Sequence, residues 1–254
     1  MISILTPSYN QGAYIEENIR SVLGQRYDPV EHIVIDGGST DDTITVLKRY
    51  PHLRWISEPD RGQADALNKA LRLASGDIVG WINSDDFYAP GVFSRIASVF
   101  EDDQVQWCIG DVVNYDDRSG AEQYVKSPDI TYQALLRDPD AVRQQGAFFR
   151  ASAIRAAGPW DPDLHMVMDL DLWLRLAHAC PPLMVHRKTA YFRVHPAQKT
   201  QLSACIRQTG EIERVLLRHG VSGARRLCYR TKRRFWWLKG VMKVGLQNAG
   251  LAST

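Results

Sequence analysis

Short apolar runs alternate with polar turns and with longer stretches in which apolar residues recur every three or four positions. Residues 2–6, 30–35, 53–57 and 78–82 are runs rich in Ile, Val and Leu, the pattern of buried strands. Between them Ile15, Ile19, Val22 and Leu23 fall at i, i+4, i+7 and i+8. Ile44, Leu47 and Tyr50 follow a similar spacing, and residues 64–74 are alanine-rich, so a helix is predicted after each of the first three strands. Strand, turn and helix thus repeat at the ~30-residue interval of βαβ units, which predicts parallel strands joined by right-handed crossovers. Downstream the pattern predicts a helix on Val92, Phe93, Ile96 and Phe100, a strand over 106–115, a polar loop, and a helix over 130–137. A strand over 144–150 and a helix over 152–157 follow, the latter stopped by Gly158-Pro159. The segment MDLDLWLRLAHA puts Leu170, Trp173, Leu174 and Ala177 on one helical face, and residues 184–185 and 190–195 read as closing strands. The expected fold class is α/β: a Rossmann-like, mostly parallel central sheet flanked by helices over residues 1–200, then a helical tail over 201–254.

The carboxyl ends of the predicted strands carry the polar chemistry. Tyr9 and Asn10 follow the first, Asp36 the second, Glu58 and Asp60 the third, and Asp85 with Asp86 the fourth. That is the edge where open α/β sheets bind ligands. An isolated Asp-Asp pair reads most simply as a solvated turn, with Asp86 capping the next helix. Matched polar residues at successive strand ends favour a hard divalent cation, which takes oxygen ligands and shares them with substrate phosphates. A tyrosine beside an aspartate can hold a base, ring on ring, with the carboxylate accepting from an N–H. Neither a GxxxxGK[ST] nor a GxGxxG loop occurs, so a phosphate group would have to be held through metal. Asp169 and Asp171 open the MDLDLWLRLAHA helix, where the dipole favours anions.

Composition adds little to this picture, and charge adds more. At 254 residues, 44% hydrophobic and 24% charged, the chain is an ordinary globular protein. No apolar stretch approaches the ~18 residues of a membrane span, and Met1 runs directly into ISILTPSYN without a basic flank or cleavage site, so a cytoplasmic protein is expected. Cys108, Cys180, Cys205 and Cys228 lack metal-ligand spacing and read as reduced thiols. No acid follows Glu213 but ten basic residues do, so a net charge of +2 overall leaves −8 on residues 1–213. The tail interleaves those charges with Phe235, Trp236, Trp237, Leu238, Val241 and Met242. Such a helix can lie on an anionic membrane or pack on the folded body with its charges solvated. Peripheral attachment to the inner face of the cell membrane is therefore a second expectation, and nucleic acid is not an expected partner.

The segments TPSYN (6–10), DGGSTDDT (36–43), EPDRGQADALNKAL (58–71), NSDD (83–86), MDLDLWLRL (168–176) and FRVH (192–195) resemble, in this order, those of the family 2 glycosyltransferases with the GT-A fold. The resemblance covers roughly residues 1–200 and is closest to bacterial enzymes that build O-antigen or other surface polysaccharides. It implies inverting transfer of a sugar from a nucleotide-sugar donor, here expected to be a UDP-sugar, to a glycan or polyprenyl-linked acceptor with Mg²⁺ or Mn²⁺. It also implies that Pro7 and Tyr9 contact the nucleobase, that Asp36 binds its N–H edge, and that Asp85 contacts the ribose or sugar. Asp86 would bind the metal, His195 would face the metal or diphosphate, and Asp169 would be the general base. Asp60, Arg61 and Lys69 would assist near the donor, although Arg61 and Lys69 read equally as solvated charges flanking a helix.

Two positions depart from the family pattern: Asn83 stands where the first Asp of the DxD motif is common, and Met168 replaces the Glu of a Glu-Asp pair. Asn83 still accepts a hydrogen bond and Met168 does not, which leaves Asp169 as the only base in the family's position. In the implied mechanism a metal on Asp86 stabilises the leaving phosphate while Asp169 takes the acceptor proton on the opposite face. Asp171 reads as a helix-start residue. A nucleotidyltransferase shares the sheet and the metal, but it would carry a Gly-rich basic loop where this chain has SYNQGAY. A silent, glycan-binding relative is the non-enzymatic alternative, disfavoured because Asp36, Asp85, Asp86, Asp169 and His195 are all present.

Overall fold

The structure, a computed structural model, describes residues 1–199, 205–227, 229–231 and 233. It divides into two compact units, Met1–His195 and Pro196–Thr254. In the first, β1 (Ile2–Ser8), α1 (Ile15–Leu23), β2 (Val30–Asp36), α2 (Thr43–Leu47), β3 (Arg54–Ser57), α3 (Gln63–Leu73) and β4 (Ile78–Trp81) realise the predicted repeat. After them come β5 (Phe87–Tyr88), α4 (Val92–Val99), β6 (Trp107–Asp116), β7 (Glu122–Val125) and α5 (Tyr132–Arg137). A single 3₁₀ turn at Gln144–Gly146 leads into β8 (Ala147–Arg150), followed by α6 (Ala151–Ala157), α7 (Met168–Ala179) and β9 (Leu183–Val194).

Among the described residues nine strands form one sheet in the order β3-β2-β1-β4-β8-β6-β9-β5, with β7 paired to β6. The β3, β2, β1 and β4 strands are all parallel. The other half is mixed: β8 runs antiparallel to β4 and β6, β5 antiparallel to β9, and β6 parallel to β9. The parallel run β3-β2-β1-β4 is interrupted by antiparallel β8, and parallel pairing returns between β6 and β9. The expected break between residues 185 and 190 is absent. There β9 passes its polar HRK segment through register shifts against Gly110, Asp111 and Val112 of β6, which keeps one continuous strand.

Burial explains the register. Every residue of β1 and β4 is buried, with Ile2, Ile4, Ile82, Phe93 and Phe148 in one apolar cluster and Ile15, Ile19, Val34, Val46 and Leu47 in another. Leu23, expected on the buried face of α1, is instead 58% exposed at the helix end. The α7 helix is buried on more than its predicted face, because it packs against α5 and α6 as well as the sheet. Its Trp173 stacks on Trp107 at 5.7 Å and on Phe149 at 5.4 Å, with rings nearly parallel. Trp81, at the end of β4, meets Trp173 at 6.4 Å and Trp160 edge-on at 5.5 Å. Aromatic contacts of this kind add about 0.5–1.5 kcal/mol each beyond area burial. They fix the start of α7, which carries Asp169, relative to the tip of β4.

In the second unit α8 (Cys205–Arg218) buries Ile212, Val215 and Leu216. The aromatic part of the tail, from Phe235 onward, lies outside the described residues.

Candidate active site

The turn after β4 is held from three directions. Asn18 of α1, itself buried, donates from its amide to the main-chain carbonyls of Asn83 and Asp86, both at 2.9 Å. Trp81 Nε1 and Gln63 Nε2 donate to Asn83 Oδ1 at 3.0 and 2.6 Å. The side chain of Asn83, substituted for the common Asp, thus accepts bonds that organise the turn.

Asp86 does not occupy the position expected of a metal ligand. Its side chain is buried, with Oδ2 accepting from Gln145 Nε2 at 2.8 Å and Oδ1 from the main-chain N–H of Arg193 at 2.9 Å. Burial first, and the adjacent Asp85 charge second, push its carboxyl well above the usual range, against the pull of those two donors. Asp86 ties the β4 turn to β8 and β9.

Asp85 is the residue that faces a partner of different chemistry. Its Oδ2 lies 3.1 Å from His195 Nε2, with the carboxylate side chain 19% exposed. The His195 ring also stands 4.3 Å from Tyr14. A carboxylate oxygen and an imidazole nitrogen this close can converge on one divalent ion, and their chemistry suits Mn²⁺. Among the described residues no three His, Cys, Asp or Glu side chains form such a group. A cation held by this pair would take further oxygen ligands, for which phosphate and water are suited.

The nucleotide edge is partly rearranged from expectation. Tyr9 is 59% exposed at the end of β1, with its ring open for stacking. The next residue, Asn10, is in the left-handed region at φ 52 and accepts from the Thr40 N–H at 2.8 Å, clasping this loop to the DGGST turn. Pro7 is buried within β1 opposite Ile35. Asp36 is fully buried and already occupied: Oδ2 accepts from the N–H groups of Gly38 and Ser39 and from Ser57 Oγ, and Oδ1 accepts from Ser39 Oγ. It builds the turn and does not offer an open edge.

Asp60 is the nearby carboxylate that remains half-accessible. Desolvation first raises its pKa, with Asp65 and Asp36 adding to the effect, while the Gly62 N–H and Lys69 oppose it. A Cβ on Gly37 would lie 2.9 Å from Asp60 Oδ2, so a larger residue there would push this carboxylate aside. Lys69 is spoken for, with Nζ 2.6 Å from Glu58 and 3.7 Å from Asp65. Asp169 sits half-buried in the first turn of α7, where Oδ1 accepts from the Leu170 N–H at 2.8 Å. Asp171 is buried and bonded to Arg175 Nε at 2.9 Å, while that arginine also donates to the carbonyls of Ala157, Gly158 and Pro159. Its role is to fasten α7 to the end of α6.

Sequence reasoning missed Asn18, Gln145 and Arg193. The only local signals were the polar QQ pair opening an apolar run and the placement of Arg193 two residues before His195.

A family model for glycosyl transferase family 2 matches residues 3–156. An uncharacterized glycosyltransferase of Mycobacterium tuberculosis is 31% identical over 192 residues, covering 72% of this chain and 71% of the relative. The chain belongs to glycosyl transferase family 2. This family 2 glycosyltransferase is also 27% identical to the chondroitin synthase of Escherichia coli, over 80% of its own length but only 30% of that protein. Among solved structures, Staphylococcus aureus TarS 1-349 in complex with UDP matches at a TM-score of 0.64 and 18% identity, covering 89% of this chain and 68% of TarS 1-349. The mannosyltransferase PcManGT of Pyrobaculum calidifontis, in complex with GDP-Man and Mn²⁺, matches at 0.63 and 20% identity, covering 100% of this chain and 76% of that one. Likeness at this identity speaks to the fold, which is GT-A. Asp169 and His195 lie beyond the span matched by the family model.

Proposed function

We propose that this family 2 glycosyltransferase transfers a sugar, with inversion, from a UDP-sugar to a hydroxyl of a glycan or polyprenyl-linked acceptor in the synthesis of a bacterial surface polysaccharide such as O-antigen. The observation that carries the reading is the Asp85–His195 pair, 3.1 Å apart at the carboxyl edge of the sheet that also bears Tyr9. Asp85 and His195 would hold Mg²⁺ or Mn²⁺, which when bound neutralises charge on the leaving nucleoside diphosphate. Tyr9 stacks on the base, and Asp60 borders the same turn. Asp169 takes the proton of the acceptor hydroxyl as that oxygen attacks from the face opposite the leaving group, which gives inversion in one displacement.

The relatives support a nucleotide-sugar donor, since TarS binds UDP and PcManGT binds GDP-Man with Mn²⁺. Calorimetric titration of UDP into the protein with Mn²⁺ and with EDTA tests the reading. Binding at least ten-fold weaker without metal is expected, and equal affinity in both buffers refutes the assigned cation site. The basic stretch after Glu213 would hold the enzyme on anionic lipid, each charge near the surface contributing about 1 kcal/mol. The intact chain should therefore sediment with anionic liposomes and release in high salt. Indifference to liposomes rules this out.

A further inference from the structure

We propose that Arg193 is a positioning residue that fixes the Asp85 and His195 side chains in the arrangement a divalent cation requires. The proposal rests on the metal-dependent reading above. Arg193 is only 5% exposed, and each nitrogen of its guanidinium has a protein acceptor. Nε donates to the main-chain carbonyl of Asp85 at 2.8 Å, Nη1 to the carboxylate of Asp117 and Nη2 to that of Glu17. Its main-chain N–H donates to Asp86 Oδ1 at 2.9 Å. The guanidinium also stands 5.1 Å from the ring centre of Phe87, 5.4 Å from Tyr14 and 5.5 Å from Tyr115.

With three of its five N–H donors bonded to protein and only 5% of its surface exposed, Arg193 is built into the protein more than it is offered to a donor diphosphate. Burying an arginine is costly, and an apolar residue of similar volume often serves stability better. The contacts show what the charge does instead. The guanidinium grips the Asp85 main-chain carbonyl, while the Arg193 main-chain N–H, which a substitution at this position keeps, holds Asp86 Oδ1. Two positions further along the chain, His195 meets the Asp85 carboxylate, and the His195 ring and the Arg193 guanidinium both lie against Tyr14. The separation of Asp85 from His195 is thereby set by Arg193, which is braced on one side by α1 through Glu17 and on the other by the β6–β7 turn through Asp117. Lysine cannot substitute, since a point ammonium does not reach three acceptors lying in the plane of a fork.

The test uses the full chain and measures Mn²⁺ affinity at saturating UDP, by calorimetry and by the spin-resonance signal of free Mn²⁺. Arg193→Met should weaken Mn²⁺ binding about 10–100-fold, the usual cost of removing a group that orients a metal ligand. UDP affinity in EDTA should change less than about three-fold. Arg193→Lys should stay at least about ten-fold weak despite its charge. In an Asp85→Asn background Arg193→Met should add clearly less loss than it causes alone, because part of its effect acts through Asp85. Unchanged Mn²⁺ affinity in a folded Arg193→Met protein, full recovery in Arg193→Lys, or additive losses in the double variant would each overturn the proposal. If Arg193→Met fails to fold, Glu17→Gln combined with Asp117→Asn loosens the same guanidinium. That pair should weaken Mn²⁺ several-fold, and unchanged affinity there also overturns it. A wild-type protein that ignores Mn²⁺ in the presence of UDP removes the metal-dependent reading itself, and this proposal with it.

Discussion

Asp85 and Asp86 are neighbours in sequence with opposite expected phenotypes. Asp86→Ala leaves two buried donors, Gln145 Nε2 and the Arg193 N–H, without the carboxylate oxygens that accept from them at 2.8 and 2.9 Å. Each orphaned donor costs about 1–3 kcal/mol, so the loss should be about 2–6 kcal/mol. At about 2–4 °C per kcal/mol for a chain of this size, the Tm falls by at least about 4 °C. Asp86→Asn should be much milder. Its Oδ1 still accepts from Arg193, and a flip of the Gln145 amide presents Oε1 to the new Nδ2, so the cost stays within about 1 kcal/mol. Asp85→Asn keeps an oxygen that can face the buried His195 Nε2 at 3.1 Å, so stability should fall by no more than about 1 kcal/mol, yet Mn²⁺ binding at saturating UDP should drop steeply. Urea unfolding followed by circular dichroism, run beside Mn²⁺ titration, reads both quantities on all three variants. An Asp86→Ala protein of wild-type stability that has lost Mn²⁺, beside an Asp85→Asn protein that retains it, would return the ligand role to Asp86 and refute the reasoning.

Asp169→Asn keeps the shape of the side chain but removes its basicity, so turnover should fall by at least about 10²-fold while UDP affinity is kept; near-normal turnover would place the base elsewhere. His32 predicts an acid-sensitive fold. It is buried beside Thr6 Oγ1 at 2.9 Å, and burial first, with His52 second, pushes its imidazole down to about 3 from 6.5. Above pH 6.5 neither folded nor unfolded chain holds this proton, whereas between 6.5 and 3 only the unfolded chain takes it. Stability is therefore lost as pH falls through that window, at about 1.4 kcal/mol per unit. Between pH 7 and 5 the wild type should lose about 2 kcal/mol more than His32→Gln in urea unfolding, and equal losses would contradict the assignment.

Much of the first half of the fold was legible locally. Residues 2–6, 30–35 and 78–82 became β1, β2 and β4 because apolar runs bounded by turn residues have few alternatives once buried, and 53–57 became the largely exposed β3 beside β2. The second half was less so. The two-residue β5 is too short to leave a pattern, and β7 is an exposed edge strand without alternation. The direction of β8 is set by its connection and partners, which hydrophobicity does not encode. Likewise the polar HRK of β9 looks like a break until β6 supplies the partner that absorbs it.

The sequence by itself determined that polar residues, Tyr9, Asp36, Asp60, Asp85 and Asp86, follow the carboxyl ends of successive parallel strands, while Asp169 and His195 were marked by the family resemblance. Only the tertiary structure decided which of those groups are free to do chemistry. Asp36 is consumed by Ser39 and Ser57, Lys69 by Glu58, and Asp86 by Gln145 and Arg193, which lie 59 and 107 residues further along the chain. Adjacent carboxylates on one turn are chemically identical in sequence. They differ here because buried donors from distant strands satisfy one of them, and the other is left facing His195.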